Sequence, residues 1–127
     1  MSIPEQLQYT KDHEWLKVEG KTATVGITHF AQSELGDIVF ADIPAVGKAV
    51  EKGQSLCVVE STKAASDVYA PVSGKVVAVN EALKNSPELI NRDPYGQGWI
   101  AKIEVTKDSD LHVLLSAGQY QDLLAGK

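Results

Sequence analysis

The sequence has little of several residue types, and each shortage excludes something. Its 127 residues include a single cysteine, Cys57, and a single methionine, Met1. One cysteine cannot form an internal disulfide, and because no signal peptide precedes it, a reducing compartment is favoured. No apolar run approaches the roughly 20 residues that a membrane-spanning helix needs. The first ten residues contain no arginine, which is unlike a mitochondrial presequence. We therefore expect a bacterial cytoplasmic protein without a membrane partner.

Positive charge is also in short supply. The 12 basic and 17 acidic side chains give a net charge of −5, so we expect no nucleic-acid partner. Hydrophobic residues at 43% and charged residues at 23% are typical of a globular chain. No linker or low-complexity tract divides it. The sequence therefore predicts a single domain over residues 1–127, with a strand-rich core at about 9–105 and C-terminal helices at about 108–125.

Short segments of alternating polarity predict a fold that is mainly β. The first two strands lie around Leu16–Val18 and at Ala23–Ile27, with Glu19-Gly20-Lys21 as the hairpin turn between them. The further predicted strands cover residues 37–43, 55–60, 67–70, 75–80 and 99–105. Many short strands followed by small helices favour a sandwich or flattened barrel.

Three short helices are predicted beside these strands. Phe30–Leu35 is expected to be helical, with Thr28 as its N-cap and Gly36 ending it. Helical spacing recurs near the C-terminus and predicts a pair of helices, the second capped by Ser116. The leucines and tyrosine with this spacing are Leu111, Leu114, Leu115, Tyr120, Leu123 and Leu124.

A weak internal repeat surrounds the middle of the chain. The segment Val46–Val50 resembles Val72–Val77, and the two flank Lys63 almost evenly. Two similar halves around a pseudo-two-fold axis would explain this, although Val, Gly and Lys are common in any β-rich chain.

Lys63 lies in the turn between two predicted strands, so its side chain should point into solvent. The simplest interpretation is an ordinary surface lysine, one of eleven in the chain. A self-activated nucleophile is disfavoured, because Glu60 and Asp67 flank the amine and stabilise its protonated form. The setting is compatible with a lysine that another enzyme acylates with an activated donor.

The residues around Lys63 resemble the lipoyl-attachment hairpin of the glycine cleavage system H proteins. The likeness covers Val59–Asp67 and continues through Ala70-Pro71-Val72-Ser73-Gly74. Further matching motifs are His13-Glu14-Trp15, Val25-Gly26-Ile27-Thr28, Leu35-Gly36-Asp37, Leu89-Ile90-Asn91 and Pro94-Tyr95-Gly96 with Gly98-Trp99. They follow the family order from about Tyr9 to Leu124, nearly the whole chain.

The resemblance implies a lipoyl-type fold of two small antiparallel sheets and a carrier rather than an enzyme. Lys63 would hold lipoic acid in amide linkage, attached by a lipoate ligase or lipoyl transferase. The arm would take an aminomethyl group from glycine decarboxylase to an aminomethyltransferase and be reoxidised by dihydrolipoyl dehydrogenase. Nothing in the sequence demands more than a monomer.

The resemblance also assigns residues to two tasks. Glu60, Ala64 and Asp67 would let the attaching enzyme recognise the hairpin. The loaded arm of this family folds back into a cleft, and Glu14 and Asp67 are the anions expected there for its terminal ammonium. The alternative for Glu14 is an exposed strand acid beside Lys11 and Lys17.

Other chemistry-bearing residues are expected to have structural roles. The three histidines, His13, His29 and His112, lack the spacing of a zinc site, so no metal is expected. Cys57 should be a small apolar residue within a buried strand. The aromatic residues Trp15, Tyr95 and Trp99 should pack, and Asn91–Pro94 should shape a loop.

Three alternative functions remain open at this point. A biotinyl domain or the lipoyl domain of a 2-oxoacid dehydrogenase would also display a lysine. However, Thr62 and Ala64 flank Lys63 in place of the methionines typical of biotin domains, and no Pro/Ala-rich linker follows. An H-like protein could serve as a depot of lipoyl groups for other complexes. An unmodified interaction module, or an enzyme, would require Lys63 to stay free.

Overall fold

A computed structural model describes residues 3–126; Met1, Ser2 and Lys127 of the predicted domain lie outside the described part. The strands are β1 (Gln8–Tyr9), β2 (Glu14–Glu19), β3 (Thr22–Ile27), β4 (Ile38–Asp42), β5 (Ala49–Val50), β6 (Ser55–Ser61), β7 (Ala65–Tyr69), β8 (Gly74–Val79) and β9 (Ala101–Val105). The α-helices are α1 (His29–Leu35), α2 (Leu89–Arg92) and α3 (Ala117–Leu124), and Glu81–Lys84 and Asp108–Val113 are 3-10 helices.

The strands form two antiparallel sheets, which confirms the predicted fold class. The larger sheet has the order β1-β2-β3-β9-β8-β5, and the smaller one has the order β4-β6-β7. Both contribute to one apolar core, for example through Val25 and Ile103 of the larger sheet and Val59 and Val68 of the smaller. No helix within residues 3–126 is long and apolar enough to cross a membrane.

The β2–β3 hairpin forms at the predicted turn and depends on a close approach between its strands. Trp15 pairs with Gly26, and a Cβ atom at Gly26 would lie only 2.6 Å from the indole Nε1. The indole therefore crosses the neighbouring strand where only a hydrogen fits, and its Nε1–H donates to the Pro94 carbonyl at 2.9 Å. Trp15 is a packing residue, as expected.

The helix predicted at 30–35 begins one residue earlier, at His29. Thr28 caps it, since the Thr28 hydroxyl accepts from the Ala31 N–H at 3.2 Å. Gly36 ends it with a φ of +84°, in the left-handed region that glycine adopts without strain. The chain then turns directly into β4.

The predicted C-terminal pair consists of the 3-10 helix Asp108–Val113 and the helix α3. Ser116 caps α3, since its Oγ accepts from the Gln119 N–H and its own N–H donates to Gln119 Oε1, so its predicted role is confirmed. Leu114 and Leu115 lie between the two helices despite their helical spacing. Leu115 instead exchanges two 2.8 Å backbone hydrogen bonds with Tyr9, because pairing with β1 satisfies its polar groups where the chain is extended.

Other differences from the sequence expectations concern short or doubly buried segments. The strands β1 and β5 have two residues each, too few to show a period. Ile100 was expected on the polar side of its strand but is fully buried, just before β9 begins. The two repeat segments pair with each other, since Ala49 lies opposite Lys75 and Val50 opposite Gly74.

Candidate functional site

Lys63 lies at the centre of the three-residue turn that joins β6 to β7. The paired residues of β6 and β7 nearest to it are Glu60 on one side and Ala65 on the other. The side chains of Glu60, Lys63 and Ala64 are all exposed. Within the described residues the only ion pair joins Lys84 and Glu81, so the Lys63 ammonium is not held by a neighbouring acid.

Ser61 holds the backbone of this turn together. Its Oγ accepts from the N–H groups of Lys63 at 3.3 Å and Ala64 at 3.1 Å, and its own N–H donates to the Ala64 carbonyl at 2.7 Å. A serine at the start of a turn can satisfy backbone donors in this way. Ser61 was not among the predicted site residues, although a hydroxyl two residues before Lys63 was a usable signal.

The tip of the hairpin also rests on the corner between α1 and β4. The Thr62 N–H donates to the Asp37 carbonyl at 3.1 Å. A Cβ atom at Gly36 would lie 3.4 Å from Cε of Lys63, so the lysine stem passes close over this glycine. The amine is therefore displayed from a turn that is supported on two sides.

Asn91, on α2, fixes that corner. Its Nδ2 donates to the Gly36 carbonyl at 2.8 Å and to Gln32 Oε1 at 2.9 Å, while its Oδ1 accepts from the Ile38 N–H at 2.8 Å. One side chain thus joins α1, its terminating glycine and β4. Asn91 was expected only to shape a loop, and this expectation understated its role.

Glu14 is buried, with 2% of its surface exposed, which is unlike the exposed strand acid considered as the alternative. Its Oε1 accepts from the Thr10 hydroxyl at 2.7 Å and its Oε2 from the Tyr69 N–H at 3.3 Å. Burial raises the pKa of Glu14 to about 7, because the ionised form loses its hydration. The carboxyl group is therefore poised near neutrality and gains from any cation that reaches it.

A cavity of about 380 Å³ opens beside Glu14. This volume is in the range of small-molecule sites. The cavity has polar walls and apolar walls, and the lining residues are Thr10, Lys11, Asp12, Glu14, Lys52, Gly53, Ala70, Pro71, Val113, Leu114 and Leu115.

The strand β7 links the displayed lysine to this cavity. Lys63 lies two residues before the first residue of β7, and the backbone N–H of Tyr69, its last residue, donates to Glu14. The four steps from Ala65 to Tyr69 span about 13 Å at the usual rise of a strand. Asp67 does not line the cavity; it is exposed on β7, where it accepts from the Ser55 hydroxyl at 2.7 Å.

The other candidate residues are packed against neighbouring side chains or buried in the fold. His13 contacts the Tyr120 hydroxyl at 2.8 Å and packs on Phe30, and burial lowers its pKa. Cys57 is buried, which raises the pKa of its thiol to about 12 and leaves the thiol inert at neutral pH. Within the part of the chain that the structure describes, no three His, Cys, Asp or Glu side chains are grouped to hold a metal ion.

The chain is similar to known proteins over nearly its whole length. The family model of the glycine cleavage H-protein matches residues 7–127. The chain belongs to the glycine cleavage H-protein family. The glycine cleavage system H protein of Coprothermobacter proteolyticus is 58% identical over 98% of both chains, and that of Thermus thermophilus is 54% identical over 98% of this chain and 97% of that one.

A solved H-protein structure has the same fold. The crystal structure of a glycine cleavage system H protein from Mycobacterium marinum superposes with a TM-score of 0.87 and 40% identity, covering 97% of this chain and 99% of that chain. As an H-protein, the chain is a lipoyl-carrying component of a multienzyme system and not itself a catalyst. The resemblance seen in its motifs is thereby confirmed.

We predict that Glu14 makes stability fall as the pH rises. The folded protein holds the Glu14 proton with a pKa of about 7, whereas the unfolded chain releases it near 4.5. Stability should therefore decrease between these pH values, by about 3 kcal/mol, and level off above pH 7. Urea denaturation of wild type and Glu14→Gln at pH 5 and pH 8 checks this. Parallel pH profiles would contradict it.

We predict that Asn91→Asp loosens the lysine turn, because a carboxylate cannot donate to the carbonyl of Gly36. The matched control is Asn80→Asp, since the Asn80 amide donates to the Gln97 and Trp99 carbonyls at 2.7 and 2.8 Å. Each change should destabilise the fold by about 1–3 kcal/mol. Only Asn91→Asp should speed amide exchange of Thr62 relative to the β9 amides. If the ratio of the Thr62 exchange rate to the β9 exchange rates were equal in both variants, Asn91 would not support the tip.

Proposed function

We propose that Lys63 carries lipoic acid in amide linkage on Nζ, and that the chain carries the aminomethyl group of glycine on that arm. The observation that supports this is an exposed lysine, in no ion pair with any residue of the described part of the chain, on a turn held by Ser61 and Asp37. A fixed turn lets an enzyme find the amine, while the free side chain lets the amine enter an active site. The bound group would supply a redox-active disulfide at the end of a long arm.

Attachment of the arm needs an outside enzyme, a lipoate ligase or lipoyl transferase. The Lys63 side chain is exposed to solvent, so the desolvation that activates its amine must come from the enzyme. With an acyl-adenylate donor, the neutral amine forms a bond to the acyl carbon, and the bond from that carbon to the phosphate oxygen breaks. AMP leaves with the electron pair, and the amine proton goes to a base of the enzyme.

Three further partners complete the proposed cycle. Glycine decarboxylase delivers the aminomethyl group, and an aminomethyltransferase passes its carbon to tetrahydrofolate and releases ammonia. Dihydrolipoyl dehydrogenase then restores the disulfide with NAD. A tether raises the effective concentration of the cargo at each active site, which a freely diffusing cargo would not achieve. We propose that the chain does this as a monomer in the bacterial cytoplasm, where a lone buried Cys57 stays reduced.

The cavity at Glu14 is the proposed resting place of the loaded arm. About 16 bonds separate the Lys63 Cα from the amino nitrogen of a loaded arm, which gives about 19 Å at the reach of an extended chain. This exceeds the length of β7 and leaves several ångströms for the turn between Lys63 and Ala65, so an arm laid along the strand reaches Tyr69 and Glu14. Ala70, Pro71 and Leu114 would cover its apolar part.

Glu14 would hold the ammonium group of the cargo. A buried carboxyl with a pKa near 7 ionises readily when a cation approaches, and the resulting charge-assisted bond is worth about 1.5–3 kcal/mol. The apolar walls would keep water from the cargo. Asp67 as a second anion of this cleft stays a prediction; its carboxylate lies on the exposed side of β7 and does not line the cavity.

The attachment site can be tested by intact mass. Incubation of the purified chain with a lipoate ligase, lipoate and ATP should add one lipoyl group, which peptide mapping places on Lys63. Lys63→Arg should accept none, whereas Lys48→Arg, which alters another exposed turn lysine, should behave as wild type. Addition elsewhere, or none where known lipoyl domains are modified, would refute the proposal.

The role of Glu14 can be tested by the lifetime of the loaded arm. Glu14→Gln removes the anion but keeps the shape, so hydrolytic loss of the aminomethyl group should speed up by about tenfold or more. Glu19→Gln, an exposed change on the same strand, is the control. The lifetime is followed by intact mass at pH 8, where Glu14 is ionised. Equal lifetimes in the two variants would remove Glu14 from the cleft.

A further inference from the structure

The solvent side of the three-stranded sheet carries a distinct set of side chains next to Lys63. Residues directly opposite one another in a sheet point to the same side. The row nearest the turn is Phe40, Glu60 and Ala65, and the next row is Asp42, Val58 and Asp67. We call these two rows the outer face.

The outer face exposes apolar surface that the fold itself does not use. Phe40 is 50% exposed, and its neighbour Val39, at the irregularity in β4, is 56% exposed. Tyr69 continues the same side of β7 and is 39% exposed. A group of exposed apolar side chains that is rimmed by polar ones is typical of surfaces that bind a partner.

The charges on this sheet have a single sign. None of β4, β6 and β7 contains a lysine or arginine, whereas each contributes one carboxylate to the outer face. These carboxylates belong to Asp42, Glu60 and Asp67, and all three are exposed. A partner with basic side chains around an apolar pocket would complement this surface in both respects.

We propose that the outer face is the docking surface for the enzyme that acylates Lys63, with Phe40 as its apolar anchor. This rests on the proposed function, because an enzyme that brings an acyl carbon to Nζ must cover the end of the β6–β7 hairpin. The row Phe40–Glu60–Ala65 is the part of the sheet that it then meets first. An enzyme that binds an acyl phosphate donor also carries cationic groups near its active site, which the carboxylates would face.

The size of the outer face suits a brief encounter. Three strands span about 10 Å in width, and the two rows with Tyr69 extend about 13 Å along β7. The area enclosed by these two lengths is well below the roughly 800 Å² per partner of a stable interface. Attraction between opposite charges speeds the formation of such small contacts, and salt weakens it. The lipoylated carrier can therefore leave this enzyme and bind the next one.

The test measures initial rates of lipoylation by a purified lipoate ligase at several concentrations of the unmodified full chain. Phe40→Ala should raise KM about fivefold or more with kcat little changed. Phe40→Leu should leave KM close to the wild-type value, since it keeps an apolar anchor. The control Val46→Ala alters an apolar residue that is 61% exposed elsewhere and should leave KM as in wild type.

The electrostatic part has its own variant. Asp42→Asn should raise KM at low salt and reduce its dependence on salt concentration, whereas Glu104→Asn, an exposed change on the larger sheet, should do neither. Unchanged KM for Phe40→Ala, or equal changes for Phe40→Ala and Val46→Ala, would overturn the docking surface while leaving Lys63 as the lipoyl site. Failure of the wild-type chain to accept lipoate would overturn the proposed function itself.

Discussion

The display of Lys63 depends on the corner between α1 and β4. Fixing each backbone residue costs about 1–2 kcal/mol of conformational entropy, and a three-residue turn makes few hydrogen bonds of its own. The missing bonds come from the Ser61 hydroxyl and from the carbonyl of Asp37. Asn91 in turn holds Asp37 in place by hydrogen bonds to the residues on either side of it, Gly36 and Ile38. The backbone is thus held in place while the lysine side chain stays free to move into another protein.

Glu14 places a cost on the same fold. A buried carboxyl that ionises near pH 7 destabilises the protein in which it sits, and an apolar residue there would avoid the penalty. Such a group is expected at a functional site, where a bound cation would offset the free-energy cost of burying the carboxylate. Because the Tyr69 N–H holds Glu14 at the far end of β7, the separation from Lys63 is fixed by the length of one strand.

Local signals predicted much of this structure. Short apolar segments separated by turn residues located the strands on both sides of Lys63, so its exposure followed from the turn between them. Thr28 and Ser116 were recognisable as caps, because a cap acts on residues three positions away. Leu114 and Leu115 showed the limit of this approach, since their spacing was helical but pairing with Tyr9 kept them extended.

The amino-acid sequence by itself determined the mainly β class, the family and the lysine at a hairpin tip, because periodicity and motifs are properties of neighbouring residues. Only the tertiary structure decided the burial of Glu14, the bonds of Asn91 and the grouping of Phe40 with Glu60. The partners of Asn91 lie 53 to 59 residues away in the chain. Strand register and burial arise from such distant contacts, which no local pattern records.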